Sequence, residues 1–192
     1  MTPLSFSSSP AFRKFALLSV ALCFNPLAFA ADLQLAITAF NEPNYSKAKP
    51  LFEVAAKDTA TKNDALYYLG RIAIQEEGDA DKAKGYLDQS VDLEPNASDE
   101  YYWLAVVYGE LAQKANILKR ASYASSVHKY YQLAVDADPK NIAARRGLFL
   151  FYVIAPGFMG GGNDKAEKAL SDIRKLSPVD ADIEQLDWYG RK

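Results

Sequence analysis

Few side chains in this chain are of the types that carry out covalent or metal chemistry. His128 is the only histidine and Cys23 the only cysteine among 192 residues. A metal site or a nucleophile with its base needs several such groups together, so a lone histidine predicts a residue on the side of a helix. The adjacent carboxylates Glu76 and Glu77 stand at a predicted turn, where they need only be solvated. We therefore expect no enzyme activity, no metal site and no cofactor.

A glycine-rich stretch, residues 160–165, has the composition of a phosphate-binding loop. It lacks the Gly-Lys-Ser/Thr ending of a P-loop and follows no predicted strand, which favours a shaped loop over a nucleotide site. Backbone N–H groups at the start of the following helix could still receive an anion. With the preceding proline, the stretch forms a candidate binding loop that contains Pro156, Gly157, Phe158 and Gly161.

Aromatic residues cluster at four places, residues 67–68, 101–103, 130–131 and 149–152. Adjacent side chains of a helix point about 100° apart, so one can enter a core while its neighbour faces outward. Packing in the core or at its rim explains the clusters as well as a binding surface does. In the second interpretation, Tyr67, Tyr102 and Arg146 form an amphipathic groove, since aromatic residues and arginine are the usual anchors of binding surfaces.

The element that would position these side chains is a helical hairpin, residues 63–95. Two stripes of helical spacing run through it, formed by Leu66, Leu69, Gly70 and Ala73 and then by Ala83, Leu87, Ser90 and Leu93. Gly78 and Asp79 separate the stripes, and Pro95 ends the second because proline cannot continue a helix. Small residues at Gly70 and Ala83 would let the two helices approach closely.

The hairpin recurs with constant spacing. Twelve residues separate a position in the second helix from the closing proline in three units, as in Ala83 to Pro95. Nine residues separate two of these prolines from the next opening leucine, as in Pro95 to Leu104. The agreement predicts an all-α, right-handed solenoid of about four hairpins. The predicted units are residues 31–62, 63–97, 98–141 and 142–180, with a capping helix at 181–192.

The third unit is about ten residues longer than its neighbour. Its first stripe continues through Ala115 to Leu118, which predicts a turn near Arg120 and two helices that each project roughly 7 Å further.

The two ends of the stack are expected to differ from the middle. In the first unit, Phe52 marks the second helix but the closing proline is missing, so this unit should cap the solenoid. Asn163 or Asp164 should cap the helix after the glycine-rich loop. Leu186 and Trp188 of the last helix should cover the far end, as terminal helices of solenoids do.

This combination of large, small and proline positions at a period near 34 residues resembles a tetratricopeptide (TPR) repeat. The resemblance implies a concave surface lined by the first helix of each unit. Transferred residue by residue, the groove positions of the family fall on Tyr67, Arg71, Tyr102, Val106, Arg146 and Leu150. Some TPR domains clamp a C-terminal carboxylate with lysine and asparagine at such positions. This chain has tyrosine and aliphatic residues there, which argues against a clamp.

A narrower resemblance rests on residues 151–166, FYVIAPGFMGGGNDKA. A proline- and glycine-rich break after an aromatic helix is similar to the TPR component associated with some periplasmic TRAP-type uptake systems. That resemblance implies a small, partly apolar ligand held near Pro156.

The N-terminal residues have the pattern of a secretory signal peptide. Arg13 and Lys14 precede a short apolar run, and Ala28 and Ala30 supply the small residues before a cleavage site. Cleavage after Ala30 leaves 20 of the 22 basic and all 24 acidic residues, a net charge of about −4 that argues against nucleic-acid binding. We expect a periplasmic protein without a membrane span in its mature chain.

The sequence thus favours a scaffold that binds a protein or peptide partner in a concave groove. The alternative is solute carriage near the Pro156 loop. Neither the partner nor the oligomeric state follows from the residues.

Overall fold

The computed structural model describes residues 26–190, and the regular structure within that span is helical. A short 3₁₀ turn, Gly157–Met159, lies between the seventh and eighth α-helices. The α-helices are α1 (Pro26–Asn41), α2 (Tyr45–Ala55), α3 (Lys62–Gln75), α4 (Ala80–Leu93), α5 (Ser98–Lys114), α6 (Ile117–Ala137), α7 (Ile142–Ile154), α8 (Asn163–Leu176) and α9 (Pro178–Gly190). The predicted all-α class is confirmed.

The helices stack as a solenoid of hairpins. In each of the pairs α1/α2, α3/α4, α5/α6 and α7/α8 the first helix packs on the second, and each second helix packs on the element that follows. The first helices also contact one another, α3 with α5 and α5 with α7. Packing between neighbours in the chain is characteristic of a solenoid. The contacts between first helices therefore run along α3, α5 and α7.

The crossing of α3 and α4 uses small residues as predicted. A Cβ atom at Gly70 would lie 2.6 Å from Leu87 Cγ, closer than ordinary side-chain contacts allow. Ala83 and Leu87 are fully buried there. The prediction for Leu93 was wrong: this side chain is about half exposed, because it is the final residue of α4 and lies at the end of the buried stripe.

The third hairpin is lengthened unequally. α5 has 17 residues and α6 has 21, against 14 in each of α3 and α4. At ~1.5 Å per residue, these differences of three and seven residues extend α5 by ~4.5 Å and α6 by ~10 Å. The turn lies at Ala115 and Asn116, not near Arg120, because the Asn116 side chain accepts a hydrogen bond from Lys119 N (3.0 Å) and begins α6. Leu118 therefore belongs to α6 and is exposed.

The last two helices correct two further predictions. α8 begins at Asn163 with Gly162 as its cap residue, so neither Asn163 nor Asp164 caps it. In α9, Trp188 is buried against Phe149, whereas Leu186 points into solvent, because the face of α9 that packs inward carries Trp188 instead.

The predicted signal peptide and Cys23 lie largely outside the described residues. α1 begins at Pro26, and its described core contacts start at Leu33. Within residues 26–190, no helix combines the length and hydrophobicity needed to cross a membrane.

Candidate binding groove

The structure brings three of the six predicted groove residues together. Tyr102 of α5 and Arg146 and Leu150 of α7 line one cavity of about 280 Å³, completed by Tyr131, Ala143 and Gly147. All three predicted residues are partly buried. Val106, one helical turn after Tyr102, is also partly buried but lines neither this cavity nor the larger one described below.

Gly147 sets the depth of this cavity. A Cβ atom at that position would overlap the ring of Tyr131, so the absence of a side chain lets the ring lie directly on α7. Burial strongly raises the pKa of the Tyr131 hydroxyl, so the ring stays neutral. In the sequence, Tyr131 is evident only as part of an aromatic cluster, and Gly147 gives no signal of a site.

Tyr67 and Arg71 form a second site, on α3. The Arg71 guanidinium carbon lies 4.5 Å from the ring centre of Phe40, 4.9 Å from that of Trp103 and 5.4 Å from that of Tyr67. Tyr68 is at 5.7 Å. Such distances are typical of cation–π contacts. Arg71 therefore lies in an aromatic cage built by α1, α3 and α5.

No carboxylate of the described residues pairs with Arg71. Its one hydrogen bond to another side chain runs from Nη1 to the Tyr67 hydroxyl (3.3 Å). Arg71 Nε is buried and finds no acceptor within residues 26–190. A buried donor without an acceptor costs about 1–3 kcal/mol, and more when it is charged. The cage thus holds a cation whose hydrogen-bonding capacity is largely unused.

Burial also determines the ionisation of Tyr67. It raises the pKa of the Tyr67 hydroxyl to about 12, while the nearby Arg71 charge acts in the opposite direction. The hydroxyl therefore stays protonated at neutral pH and can accept the bond from Arg71.

Aromatic rings connect the two sites. From the cage, the Trp103 ring contacts Tyr102 (5.4 Å between ring centres), and Tyr102 contacts Tyr131 (6.0 Å). On the other side, Phe40 contacts Tyr68 at 5.0 Å. We call this line the aromatic belt, composed of Phe40, Tyr68, Tyr67, Trp103, Tyr102 and Tyr131. Of these, Phe40, Tyr68, Trp103 and Tyr131 were missed as groove residues, although Tyr68 and Trp103 directly follow Tyr67 and Tyr102 in the sequence.

Arg146 differs from Arg71 because its charge is balanced from within the chain. Arg146 Nε donates to Glu184 Oε1 at 2.6 Å, and Nη1 lies 3.6 Å from Asp180 Oδ1. The Glu184 side chain is only 3% exposed, against 40% for Arg146. The hydrogen bond to Glu184 raises the pKa of Arg146 above its usual value. The Arg146 guanidinium is therefore already paired with carboxylates of α9.

A larger, mainly apolar groove lies beside the belt. It measures about 350 Å³ and runs between α5, α6 and α7. Tyr131, Gly147 and Leu150 line both this groove and the smaller cavity, so the two are adjacent. Its other lining includes Val127, Phe151, Ile154, Pro156 and Met159. The lengthened third hairpin and the loop after α7 thus form its walls.

The predicted loop residues take separate roles. Pro156 lines the apolar groove, while Phe158 points into solvent and Gly157 begins the 3₁₀ turn. At Gly161 a Cβ atom would overlap the carbonyl group of Ala155, so only glycine fits. Gly162 adopts φ 147°, a region that favours glycine, and its N–H donates to Tyr152 O at 2.9 Å. Backbone constraints therefore account for the glycines.

The lone histidine has a packing role. His128 Nε2 lies 3.2 Å from the Tyr152 hydroxyl, and its ring lies 5.1 Å from that of Phe151. Burial, with a smaller effect from Lys165, lowers the pKa of His128. Within residues 26–190, no three His, Cys, Asp or Glu side chains group as metal ligands would.

Several solved structures of other proteins share the fold of this chain. TTC0263, a thermophilic TPR protein of Thermus thermophilus, matches with a TM-score of 0.68 and 22% identity over 84% of this chain and 81% of that one. MamA AMB-1 matches with a TM-score of 0.58 and 20% identity, over 80% of this chain and 75% of that one. Human IFIT1, in a dimer with m7Gppp-AAAA, gives 0.63 and 18% over 88% of this chain.

This chain spans 43% of the IFIT1 chain, less than half its length. No protein-family model and no curated protein matches the sequence. Identities below 25% establish a fold and leave function open. The sequence resemblance and the structural neighbours agree, and the chain has the fold of a TPR protein, an all-α solenoid of helical hairpins.

Proposed function

We propose that this chain is an exported scaffold that binds a protein or peptide partner along the aromatic belt. The observation that carries the proposal is the cage around Arg71, which holds a cation with no carboxylate partner among the described residues, between the buried Phe40 ring and the half-buried rings of α3 and α5. Solenoids of this kind use their extended concave surfaces for binding. Aromatic residues and arginine are enriched among the residues that dominate binding energy.

The geometry of the belt and the adjacent groove fits a partner segment that carries an acidic group and an apolar side chain. An acidic group on the partner would pair with the guanidinium of Arg71, whose side chain is partly exposed, since a charge-assisted hydrogen bond is roughly twice as strong as a neutral one. An apolar side chain of the same partner would fill the groove beside Tyr131 and Leu150. Arg71 and Leu150 lie on first helices, where the repeat resemblance predicted a groove, whereas Tyr131 lies on α6.

Export belongs to the proposal as well. Its support is the N-terminal pattern of basic residues, a short apolar run and small residues before Ala31. Cleavage after Ala30 would leave in place every described core residue, from Leu33 onward. We expect the mature chain in the periplasm.

The test is affinity capture from a periplasmic extract of the source organism, with native mass spectrometry on the same sample. The bait is the processed protein, compared with the double variant Arg71→Gln/Tyr102→Ala. Arg146 is left intact, because its removal would strand the buried Glu184 and confuse binding with stability. We expect one reproducible protein partner, lost by the double variant while its circular dichroism spectrum is retained.

The matched control is Arg145→Gln/Tyr123→Ala, which changes the same residue types away from the belt and the two cavities that adjoin it. It should capture the partner as the parent does. Equal capture by parent and double variant would refute the belt as the binding surface.

The alternative is that the chain is the TPR component of a TRAP-type uptake system and holds a small, partly apolar ligand. It is favoured by the apolar groove of about 350 Å³ beside Pro156. A bound small mass in the native spectrum without a protein partner would select this function. Ile154→Gln should then release the small molecule, because it places an amide at the apolar wall.

A further inference from the structure

A third cavity, of about 250 Å³, lies between α6, α7 and α8. It shares no lining residue with the aromatic belt or with the two cavities that adjoin the belt. On α7 its lining residues Arg145, Leu148 and Tyr152 recur at intervals of three and four residues, so they form one face of the helix. Gly147 and Leu150, which line the other two cavities, lie on a different side of α7. We call the space between α6, α7 and α8 the basic cavity.

The lining of the basic cavity is positively charged although the chain is acidic overall. Its described lining contains the cations Arg145, Lys165 and Lys168 and one carboxylate, Asp172. Lys175 Nζ bonds to Asp172 Oδ1 at 2.7 Å, and Lys168 Nζ lies 3.5 Å from Oδ2. The bond from Lys175 holds the pKa of Asp172 below its usual value, so this carboxylate stays ionised and is already paired. Arg145 and Lys165 supply the remaining two positive charges.

Arg145 and Lys165 form no ion pair with a described residue. Arg145 Nε donates to Pro139 O at 2.7 Å, and Lys165 Nζ donates to Gly160 O at 2.8 Å. Both acceptors are neutral carbonyl oxygens, and each cation has further N–H groups to donate. Charge-assisted hydrogen bonds to an anionic group are stronger than these. The two cations are therefore available to the negative groups of a ligand.

The two cations stand at opposite ends of the basic cavity. Pro139 precedes α7 and Gly160 follows it, so the bonds to their carbonyl groups draw the two side chains apart. The Lys165 ammonium lies 5.8 Å from the ring centre of Tyr152. Tyr152 follows Arg145 by seven residues on α7, which is ~10 Å along the helix axis. A ligand that reaches both cations therefore needs a negative group at each of its ends.

Apolar side chains line the cavity between its two ends. Val135 of α6 and Leu148 of α7 are 9% and 8% exposed, and Ala169 of α8 lines the same space. Drug-sized ligands occupy clefts of about 300–1,000 Å³, so this smaller cavity suits a small, narrow molecule. We propose that the basic cavity binds an elongated organic dianion, with one negative group at each end and a hydrocarbon chain between them.

Binding in the basic cavity is independent of partner binding along the belt. No belt residue lines the cavity, and α7 lies between the two surfaces. Loss of one activity therefore leaves the other intact, and each can be tested alone.

The test is isothermal titration calorimetry of the naturally processed protein with suberate, which carries a carboxylate at each end of an eight-carbon chain. Octanoate has the same chain with one carboxylate, and succinate has two carboxylates on a shorter chain. We expect suberate to bind roughly tenfold more tightly than either, because only suberate reaches both cations. Its affinity should fall as salt is added, since salt screens exposed charges. Arg145→Gln/Lys165→Gln should lower the affinity for suberate roughly tenfold.

The matched control is Lys119→Gln/Arg174→Gln, which removes the same charges from side chains outside the cavity. It should bind suberate as the parent does, and circular dichroism should show that both double variants are folded. Ile154→Gln, at the wall of the apolar groove, should also leave suberate binding unchanged, which distinguishes the two cavities. Equal affinity of the parent and the cavity variant for suberate would overturn the proposal. So would equal affinity of the parent for suberate and octanoate, or no binding of suberate at millimolar concentration.

Discussion

Arg71 and Arg146 both occupy predicted groove positions on first helices, yet the structure balances their charges in opposite ways. Arg71 is surrounded by rings from α1, α3 and α5 and meets no described carboxylate. Arg146 bonds to Glu184 and lies near Asp180, both from α9. The repeat spacing gives both residues a groove position on a first helix, one turn apart in register, because Arg146 matches Tyr67 and Leu150 matches Arg71. Their different environments come from what stacks beside each unit.

The difference separates a structural arginine from one suited to binding. A buried carboxylate such as Glu184 must be paired, so Arg146 is committed to holding α9 on the end of the stack. Arg71 is partly stabilised by its aromatic neighbours and forms no ion pair with a described residue. A partner that supplies an anion to the accessible part of the guanidinium would thus gain more at Arg71 than at Arg146. Three predictions test this contrast.

The largest expected effect belongs to Arg146→Ala. The change leaves Glu184 buried without its cation, which should lower the free energy of unfolding by about 2–3 kcal/mol, less than for a fully buried pair because Arg146 is 40% exposed. For a chain of this length, ~2–4 °C of melting temperature corresponds to each kcal/mol. Thermal unfolding followed by circular dichroism measures the loss.

Arg174→Ala is the control for Arg146, since Arg174 also reaches α9 but pairs with the exposed Asp182. It should cost no more than about 1 kcal/mol. Adding Glu184→Gln to Arg146→Ala should restore part of the loss. Equal melting of the two arginine variants would remove the structural role assigned to Arg146.

A smaller effect on stability is expected for Arg71→Met. No ion pair with a described residue is lost and a buried donor without a described acceptor is removed, so the free energy of unfolding should change by no more than about 1 kcal/mol, the size of a cation–π contact. Partner capture should nevertheless fall. A large loss of stability together with unchanged capture would reverse the contrast and make Arg71 the structural arginine.

The smallest effect near neutral pH is expected for Tyr67→Phe, which removes one neutral hydrogen-bond acceptor from Arg71. The difference in stability between the parent and this variant appears at alkaline pH. The folded pKa of Tyr67 is raised to about 12 from a usual value near 10, so its contribution to stability is present below pH 10 and lost as the pH rises to about 12. The parent should therefore lose melting temperature more steeply than Tyr67→Phe over that interval.

Comparison of the two curves isolates Tyr67 from the other tyrosines. Because the Arg71 charge lowers the pKa of Tyr67, Arg71→Met should move this titration to still higher pH. Absorbance at 295 nm follows it. Parallel curves for parent and variant would show that Tyr67 is not buried in the cage.

The order of the hairpins was predictable because helical packing imposes regular spacing on residues close in sequence. Gly70 and Leu87 are an example, since the close approach of α3 and α4 demands a small residue there. The turn of the third hairpin was misplaced because the stripe continued through Ala115 to Leu118 without a break. Asn116, a residue type that favours helix starts, was the signal that would have located it.

The candidate site was predictable only in part. Tyr102 and Leu150 were inferred from the resemblance, and they line one cavity. The neighbours of Arg71 were not inferred, because Phe40 and Trp103 come from different hairpins and contact it only after α1, α3 and α5 stack.

The sequence alone therefore determined the all-α solenoid, the repeat spacing and the set of side chains that first helices present. These properties depend on local periodicity and on packing between neighbouring helices. Only the tertiary structure decided which arginine is paired, since Arg146 and Glu184 are 38 residues apart. It also decided where the apolar groove lies, because its walls come from α5, α6, α7 and the following loop. Contacts between separate hairpins leave no periodic signal, so they emerge only when the stack is complete.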